Sequence, residues 1–410
     1  MSTPFWKTLC LCAPALVVSI TAATAGEFPE SDTRAATIQT LNTPRTFPAI
    51  HSKKEWQSIA QDVREQTLVS CGLWPMPEKH PLNAVVSGRV ERDGYTIEKV
   101  QFESHPGLYV GGNLYRPLRQ GKGPFPGVLN PHGHWKNGRM ADEETGSIAA
   151  RCITMARNGM VAFSYDMVGY NDTFFPEWSE EMKSMPNFAK VHRQFATNAI
   201  HQLWTINLMG LQTWNSVRAL DFLESLPDVD KKRLACTGES GGGTQTFILG
   251  AIDDRLAMQA PIVMVSHSMQ GGCLCENAPG LRVKHSSMEI AAAAAPRRQI
   301  MVAATGDWTK TTMTIEGPAV ASVYKLFNAE KDHRYFIFNY PHNYNHTTRG
   351  AVYEAFDDWL LPANKTPVME TAYVKDPDAE LRVFPSSQLP KNAVTEKELI
   401  KLLQADHQAQ

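Results

Sequence analysis

The sequence predicts an α/β fold in which a mostly parallel central sheet is flanked by helices. Short apolar runs alternate with stretches of helical periodicity from residue 127 to residue 361, as they do where helices join parallel strands. The chain has 410 residues, of which 43% are hydrophobic and 20% charged. This composition is typical of a globular protein with a large core.

The individual elements follow from local patterns. Apolar residues recur at helical spacing over residues 53–72, and a glycine followed by prolines ends this helix. Residues 99–103 and 108–115 alternate apolar and polar side chains around a turn and predict an antiparallel pair. Further along, the chain predicts strand 127–130, helix 148–157, strand 160–165, helix 203–226, strand 234–237, helix 242–250, strands 258–265 and 299–303, helix 319–328, strand 335–340 and helix 347–361.

These elements divide the chain into regions. Residues 26–95 are predicted as an N-terminal helical extension, and residues 96–362 as the α/β domain. Residues 363–410 form a polar C-terminal tail, in which residues 395–404 can make one helix.

Two insertions interrupt the alternation of strands and helices. Residues 167–201 are rich in aromatic and acidic side chains, and residues 266–289 are rich in Gly, Ser and Cys. Both follow strand ends, where sheets of this class hold their ligands. We therefore expect the two insertions to form walls of the functional site.

The first 25 residues have the pattern of a secretory signal peptide. Lys7 precedes an apolar stretch over residues 9–20, and Ala23-Thr24-Ala25 provides a cleavage site of small residues. A membrane anchor is the alternative, but a bilayer needs roughly 20 consecutive apolar residues. The sequence thus predicts a secreted or periplasmic protein, cleaved near Ala25, with no membrane partner afterwards.

The charge and cysteine content exclude some classes of partner. The net charge is −2 without a basic cluster, so no nucleic acid partner is expected. Cys10 and Cys12 leave with the signal, and Cys273 and Cys275 are separated by one residue. This spacing matches neither a zinc knuckle nor a thioredoxin motif, and it favours buried thiols or a local bridge over a metal.

A nucleophile elbow follows the strand predicted at 234–237. The run Gly238-Glu239-Ser240-Gly241-Gly242 opens the next helix, which is the setting in which a Gly-x-Ser-x-Gly turn exposes a reactive serine. The alternative, a phosphate-binding loop, needs a lysine after the glycines, which the sequence does not have there. Ser240 is therefore the predicted nucleophile, and the turn indicates an α/β-hydrolase fold.

A serine nucleophile needs a base, and in this fold an acid and then a histidine follow it along the chain. Asp307 comes just after the strand predicted at 299–303, and His342 just after the last strand. His346 is the alternative base, but it stands beside the start of the final helix. The predicted catalytic residues are Ser240, Asp307 and His342.

The tetrahedral oxyanion formed in ester cleavage needs N–H donors. We predict the backbone of Gly241 as one donor and that of His134, or else Gly133, as the other. His132 and His134 are alternative metal ligands, but they lack an acidic or cysteine partner at local spacing. Trp135, Glu239, Trp308 and Tyr344 are the predicted substrate-binding residues.

Motifs along most of the chain resemble the acetyl xylan esterase-like branch of the α/β-hydrolase superfamily. They are Gly72-Leu73-Trp74-Pro75, Gly112-Asn113-Leu114-Tyr115-Arg116-Pro117, His132-Gly133-His134, Gly238-Glu239-Ser240-Gly241-Gly242-Gly243-Thr244-Gln245-Thr246, Gly272-Cys273-Leu274-Cys275-Glu276-Asn277-Ala278-Pro279-Gly280, Gly306-Asp307-Trp308-Thr309 and Pro341-His342-Asn343-Tyr344-Asn345. The resemblance implies hydrolysis of short acyl esters on sugars or polysaccharides such as xylan. It implies no cofactor, and the ligand spacing described above predicts no metal.

Two other functions are compatible with parts of this pattern. Serine peptidases related to prolyl oligopeptidases share the triad order, but the roughly 70 mature residues before the first strand pair cannot build their propeller domain. A non-catalytic binding protein on the same fold would be expected to have lost a triad member, and all three have candidates here.

Overall fold

The computed structural model describes residues 38–119, 121, 123–183, 191–363 and 366–409. Leu41–Gln410 form one compact unit, and only the last three of the 40 residues before it are described. The predicted signal peptide, residues 1–25, lies outside the described residues.

The described helices and strands follow the predicted order. The helices are α1 (Lys53–Ser70), α2 (Ile148–Arg157), α3 (Ser179–Lys183), α4 (Ala199–Leu203), α5 (Leu208–Ser225), α6 (Gly241–Ile252), α7 (Ser287–Ala292), α8 (Glu316–Leu326), α9 (His346–Leu360), α10 (Asp378–Leu381) and α11 (Glu396–Ala409). The strands are β1 (Val85–Arg92), β2 (Tyr95–His105), β3 (Leu108–Pro117), β4 (Phe125–Leu129), β5 (Asp142–Glu143), β6 (Gly146–Ser147), β7 (Val161–Tyr165), β8 (Val229–Glu239), β9 (Leu256–Ile262), β10 (Arg298–Gly306) and β11 (His333–Pro341).

Nine of the described strands form one sheet in the order β1-β2-β3-β7-β4-β8-β9-β10-β11. Strands β1, β2, β3 and β7 pair antiparallel, whereas every pairing from β7 through β4 to β11 is parallel. The short strands β5 and β6 pair with each other. The predicted α/β fold with a mostly parallel sheet is confirmed.

Helices cover both faces of this sheet. On one face α1, α5 and α6 bury Trp56, Trp214 and Phe247 in the largest apolar cluster. On the other face α2 and α9 bury Ile153 and Phe356 in a second cluster. The parallel strands are therefore shielded from water on both sides, as their continuous apolar sequences require.

The sheet begins earlier than the sequence indicates. Strand β1 lies within residues 26–95, which the sequence predicts as a helical extension, and it pairs with β2 from Val85 onward. Val85 and Val86 are exposed at the sheet edge, so β1 lacks the apolar alternation that identifies a half-buried strand. This strand is therefore held by backbone pairing with β2, and no alternation of apolar and polar side chains reveals it in the sequence.

Helix α5 begins at Leu208, although helical periodicity extends back to residue 203. The Asn207 side chain accepts the N–H of Gly210 at 2.8 Å and caps the helix, and α4 ends separately at Leu203. The local cap therefore sets the boundary.

The C-terminal tail packs on the rest of the unit. Leu399 and Ile400 of α11 are buried in an apolar cluster with residues of the 167–201 insertion. Asp172 of that insertion accepts the backbone N–H groups of Val383 and Phe384 at 2.9 and 3.0 Å. Among the described helices, none combines the length and the apolar character that a membrane span requires.

Candidate active site

Ser240 occupies the turn between β8 and α6 in a strained conformation, with φ +57° and ψ −123°. The turn is tight because the neighbouring backbone passes close by. A Cβ atom on Gly242 would lie 2.3 Å from the carbonyl oxygen of Pro131, and one on Gly238 would lie 2.5 Å from it. Only glycines fit there, and their packing forces the serine into the unusual turn.

Asp307 and His342 meet at the ends of two adjacent parallel strands. Gly306 of β10 pairs with Pro341 of β11, so the residues that follow leave the sheet side by side. His342 Nδ1 donates to Asp307 Oδ2 at 2.8 Å. The other carboxylate oxygen accepts the Thr309 N–H at 2.7 Å and its hydroxyl at 2.5 Å. Asp307 is therefore held from both sides and orients the imidazole.

The remaining nitrogen of His342 is available for chemistry. Its Nε2 atom is buried and has no hydrogen-bond partner among the described residues. With Nδ1 donating to a carboxylate, the neutral ring presents a lone pair at Nε2. Ser240 follows β8 at the same carboxyl-terminal edge of the parallel sheet.

His346 is positioned differently. It is the exposed first residue of α9, and the Asn345 side chain caps this helix by accepting the Thr348 N–H at 3.1 Å. The structure thus pairs Asp307 with His342.

Trp308 lies against the imidazole. The two ring centroids are 4.5 Å apart, and the indole N–H is buried with no partner among the described residues. This side chain therefore stays a candidate for contact with a substrate.

Gly133, one of the predicted oxyanion donors, does not have a free N–H group. The Gly133 N–H donates to Glu239 Oε1 at 2.9 Å and is not free for an oxyanion. The His134 ring lies beside Gly241, where a Cβ atom would be 2.7 Å from its Cε1. Gly241 begins α6, so its N–H has no acceptor within the helix. Gly241 and His134 remain the candidate donors.

The prediction that Glu239 binds substrate is wrong. Its side chain is fully buried and forms an ion pair with Arg151 of α2. It also accepts N–H groups from Gly133 and from the indole of Trp135. Through these hydrogen bonds, Glu239 holds the segment after β4, which carries Gly133 and Trp135, against the elbow. The sequence signal that could have indicated this pair is Arg151 itself, because an arginine within an apolar helix needs a buried counter-ion.

Tyr344 is also misassigned as a substrate-binding residue. It is fully buried, with its hydroxyl 2.7 Å from Thr237 Oγ1 and its ring 4.8 Å from the Arg151 guanidinium carbon. Burial raises its pKa to about 12. Trp135 is half-buried, with its indole N–H bonded to Glu239, and its contact with substrate stays a prediction.

His132 is a structural residue. Its Nδ1 bonds to the Gly133 carbonyl at 2.7 Å, and its Nε2 accepts the Met167 N–H at 3.0 Å. Complete burial lowers its pKa to about 3, so the ring is neutral. Both nitrogens are occupied, and His132 is not available as a metal ligand.

His134 instead faces residues from both insertions. Its Nε2 lies 3.2 Å from Cys275 Sγ, and Cys273 and His192 are adjacent. The described cysteines are buried free thiols, which agrees with one of the two predicted states of Cys273 and Cys275. Contact with Cys275, and then with the two histidines, lowers the pKa of Cys273. The sequence did not single out His192, because nothing at local spacing connects it to the other three.

Replacing Glu239 with Gln is expected to lower the free energy of unfolding by about 3 kcal/mol, because Arg151 would keep a buried charge without its counter-ion. Urea unfolding of the purified variant measures the loss. The Glu239→Gln/Arg151→Met double variant removes both charges and should recover part of it. A loss below about 1 kcal/mol would show that the pair is not the anchor described here.

Comparison with known proteins supports the fold and the branch. Residues 90–267 match the model of the acetyl xylan esterase (AXE1) family. The chain is 27% identical over 159 residues to acetyl esterase Axe7A of Xylanibacter ruminicola, covering 38% of this chain and 33% of that protein. It is 24% identical over 192 residues to YtaP of Bacillus subtilis strain 168, covering 45% and 58%. The match thus spans less than two thirds of either relative.

Solved structures agree with the fold. Methylesterase BT1017 superposes with a TM-score of 0.72 and 27% identity, covering 88% of this chain and 78% of that one. A structure from Bacteroides fragilis superposes with a TM-score of 0.58 and 15% identity, covering 94% and 97%, which supports the fold alone. The resemblance of this chain to the acetyl xylan esterase-like branch of the α/β-hydrolase superfamily, predicted from its motifs, is thereby confirmed.

Proposed function

We propose that this protein is a serine carboxylic ester hydrolase that removes acetyl or other short acyl groups from sugars or polysaccharides such as xylan. The observation that carries the proposal is the strained Ser240 turn at the sheet edge where Asp307 holds His342 with a free Nε2. The family match over residues 90–267 and the named activity of Axe7A support the substrate class.

The geometry supports an acyl-enzyme mechanism. Ser240 Oγ attacks the ester carbonyl while its proton moves to His342 Nε2, and the oxyanion accepts N–H groups of Gly241 and His134. The tetrahedral intermediate collapses, the C–O bond to the sugar breaks, and the sugar hydroxyl leaves with the proton from His342. Water then attacks the acyl-enzyme by the same route, and the carboxylic acid is released as Ser240 regains its proton.

Activity is expected to fall at least about 100-fold in kcat/KM from acetyl to octanoyl esters, because Trp308 lies against His342 and restricts the space beside the carbonyl. A series of 4-nitrophenyl esters measures the decline. Trp308→Ala should reduce the ratio of kcat/KM between the acetyl and octanoyl esters, because it makes room for the octanoyl chain. Equal or faster turnover of the octanoyl ester by the native enzyme would contradict a short-acyl pocket.

A methyl ester is the second candidate substrate, because a methylesterase is the neighbour that superposes with a TM-score of 0.72. The sugar would then contribute the acyl group, and methanol would leave in the first step. Incubation with acetylated xylan and with a methyl-esterified polyuronate distinguishes the two by release of acetate or methanol. A proline peptide substrate tests the peptidase alternative, for which no turnover is expected.

We also propose that the enzyme works outside the cytoplasm, since its first 25 residues have the pattern of a signal peptide. Expression of the full chain in a bacterial host and N-terminal sequencing of the exported protein test this. A mature N-terminus at Gly26 is expected, and an uncleaved chain in the cytoplasm would contradict export.

A further inference from the structure

Four potential metal ligands converge beside the elbow. They are His134 after β4, His192 in the insertion after β7, and Cys273 and Cys275 in the insertion after β9. One ligand atom from each lies within 4.8 Å of all the others. His192, Cys273 and Cys275 are buried, and the His134 side chain is 23% exposed. Three separate segments thus bring donor atoms to one point.

Both histidines are oriented as metal ligands usually are. His192 Nδ1 bonds to the Val168 carbonyl, which leaves Nε2 as the lone-pair nitrogen. That Nε2 is buried without a hydrogen-bond partner among the described residues. His134 Nδ1 lies 3.7 Å from Glu276 Oε1, and its Nε2 points to Cys275 Sγ. A carbonyl or carboxylate behind Nδ1 is the common second contact of metal-bound imidazoles.

The cysteines are held by the same carboxylate. Glu276 Oε2 accepts the N–H groups of Gly272 and Cys273 at 2.6 and 2.9 Å. Glu276 is itself buried, so it fixes the turn that carries both thiols while its other oxygen faces His134. The polar contacts on this turn therefore serve to position donor atoms.

We propose that His134, His192, Cys273 and Cys275 bind one zinc ion. Two thiols and two imidazoles are a donor set that zinc prefers, in tetrahedral geometry. Zn–N bonds of about 2.0 Å and Zn–S bonds of about 2.3 Å place such ligand atoms roughly 3.3–3.8 Å apart. Since these atoms all lie within 4.8 Å of one another, metal binding would shorten any separation by about 1.5 Å at most.

Charge also favours this assignment. On binding, the two thiols release their protons, and two thiolates neutralise the divalent ion. The resulting centre is neutral with its histidines uncharged, which suits a buried position better than separate charges would. The proposal replaces the sequence-based expectation that no metal is bound.

The ion would be structural, because the protein fills all four positions of a tetrahedral site and leaves none for water or substrate. It would join the segment after β4 to both insertions. The His134 ring lies beside Gly241, so the ion would fix the backbone that we propose as an oxyanion donor. This positioning role, unlike metal binding itself, rests on the proposed function.

Metal analysis of the purified full chain tests the site. Inductively coupled plasma mass spectrometry, after expression with zinc and desalting, should find about one zinc per chain. Cys275→Ala and His192→Ala should each lower the zinc content at least tenfold, whereas Cys152→Ala, a matched change of a buried free cysteine on α2, should keep it. Zinc absent from the native protein, or equal in all four proteins, would overturn the proposal.

Cobalt substitution provides a test that needs no variant. Native protein freed of metal and titrated with Co²⁺ should develop thiolate charge-transfer absorption and the visible bands of a tetrahedral site, saturating at about one equivalent. Alkylation before and after reduction, followed by peptide mapping, should find Cys273 and Cys275 as thiols. A disulfide between them, or a cobalt spectrum without thiolate bands, would overturn the site.

Metal content and ester turnover are independent readouts. Zinc bound to a protein that is inactive on all esters would contradict the proposed function alone, and full activity in a chain that binds no zinc would contradict the metal site alone. If both proposals hold, loss of zinc should lower kcat more than it raises KM, because an oxyanion donor acts mainly in the transition state.

Discussion

Replacing Ser240 with Ala is expected to lower kcat by about 10⁵-fold and to leave the fold intact. The substitution removes the only atom that forms the acyl-enzyme, and alanine adopts the strained turn no less readily than serine does. Turnover of 4-nitrophenyl acetate measures the loss. Thermal unfolding of the variant, within a few degrees of the native protein, shows that the fold is retained.

Ser268→Ala is the matched control, because this serine lies in the insertion after β9, with its hydroxyl 3.4 Å from Ser266 Oγ, and outside the elbow. It should keep kcat within about tenfold of the native value. A Ser240→Ala enzyme that kept more than about a thousandth of the native rate would show that another group performs the attack.

The second large effect separates the two histidines of the last connection. His342→Ala is expected to lower kcat by about 10⁴-fold, because it removes the imidazole that Asp307 holds at 2.8 Å. His346→Ala should change kcat by less than about tenfold, since this exposed side chain only begins α9. The reverse pattern in folded variants would transfer the base to His346.

The positions of the candidate catalytic residues follow from rules that the sequence reveals. Ser240, Asp307 and His342 each come directly after a predicted strand, and parallel strands bring their carboxyl ends to one edge of a sheet. Strand ends are visible as apolar runs that stop, so the joint placement of Asp307 and His342 could be anticipated. The structure adds the contacts of Thr309 that hold the carboxylate.

The two misassigned residues show what local patterns omit. Glu239 stands next to the nucleophile, and such an acid suggests contact with substrate. Its partner Arg151 lies on helix α2, 88 residues earlier in the chain, and the sequence alone does not show which acid neutralises this arginine in the interior. Tyr344 follows the candidate base by two residues, but its ring turns inward beneath the sheet edge to reach Thr237.

The cluster beside the elbow was missed for a related reason. The spacing of Cys273 and Cys275 argues against a metal only if all ligands come from one segment. His134 and His192 arrive from two others, and no sequence rule connects donors that tertiary structure alone brings together. The sequence predicts that both insertions lie at the site, but it does not show that His192 of one insertion meets Cys273 and Cys275 of the other.

Labelling with a serine-directed fluorophosphonate, followed by peptide mapping, shows whether His342 activates Ser240 as the nucleophile. We expect a single adduct on Ser240 in the native enzyme. In His342→Ala the adduct should form at least about a thousandfold more slowly, because no base accepts the hydroxyl proton. An adduct on a different serine, or equal labelling rates in the two proteins, would contradict the claim that His342 activates Ser240.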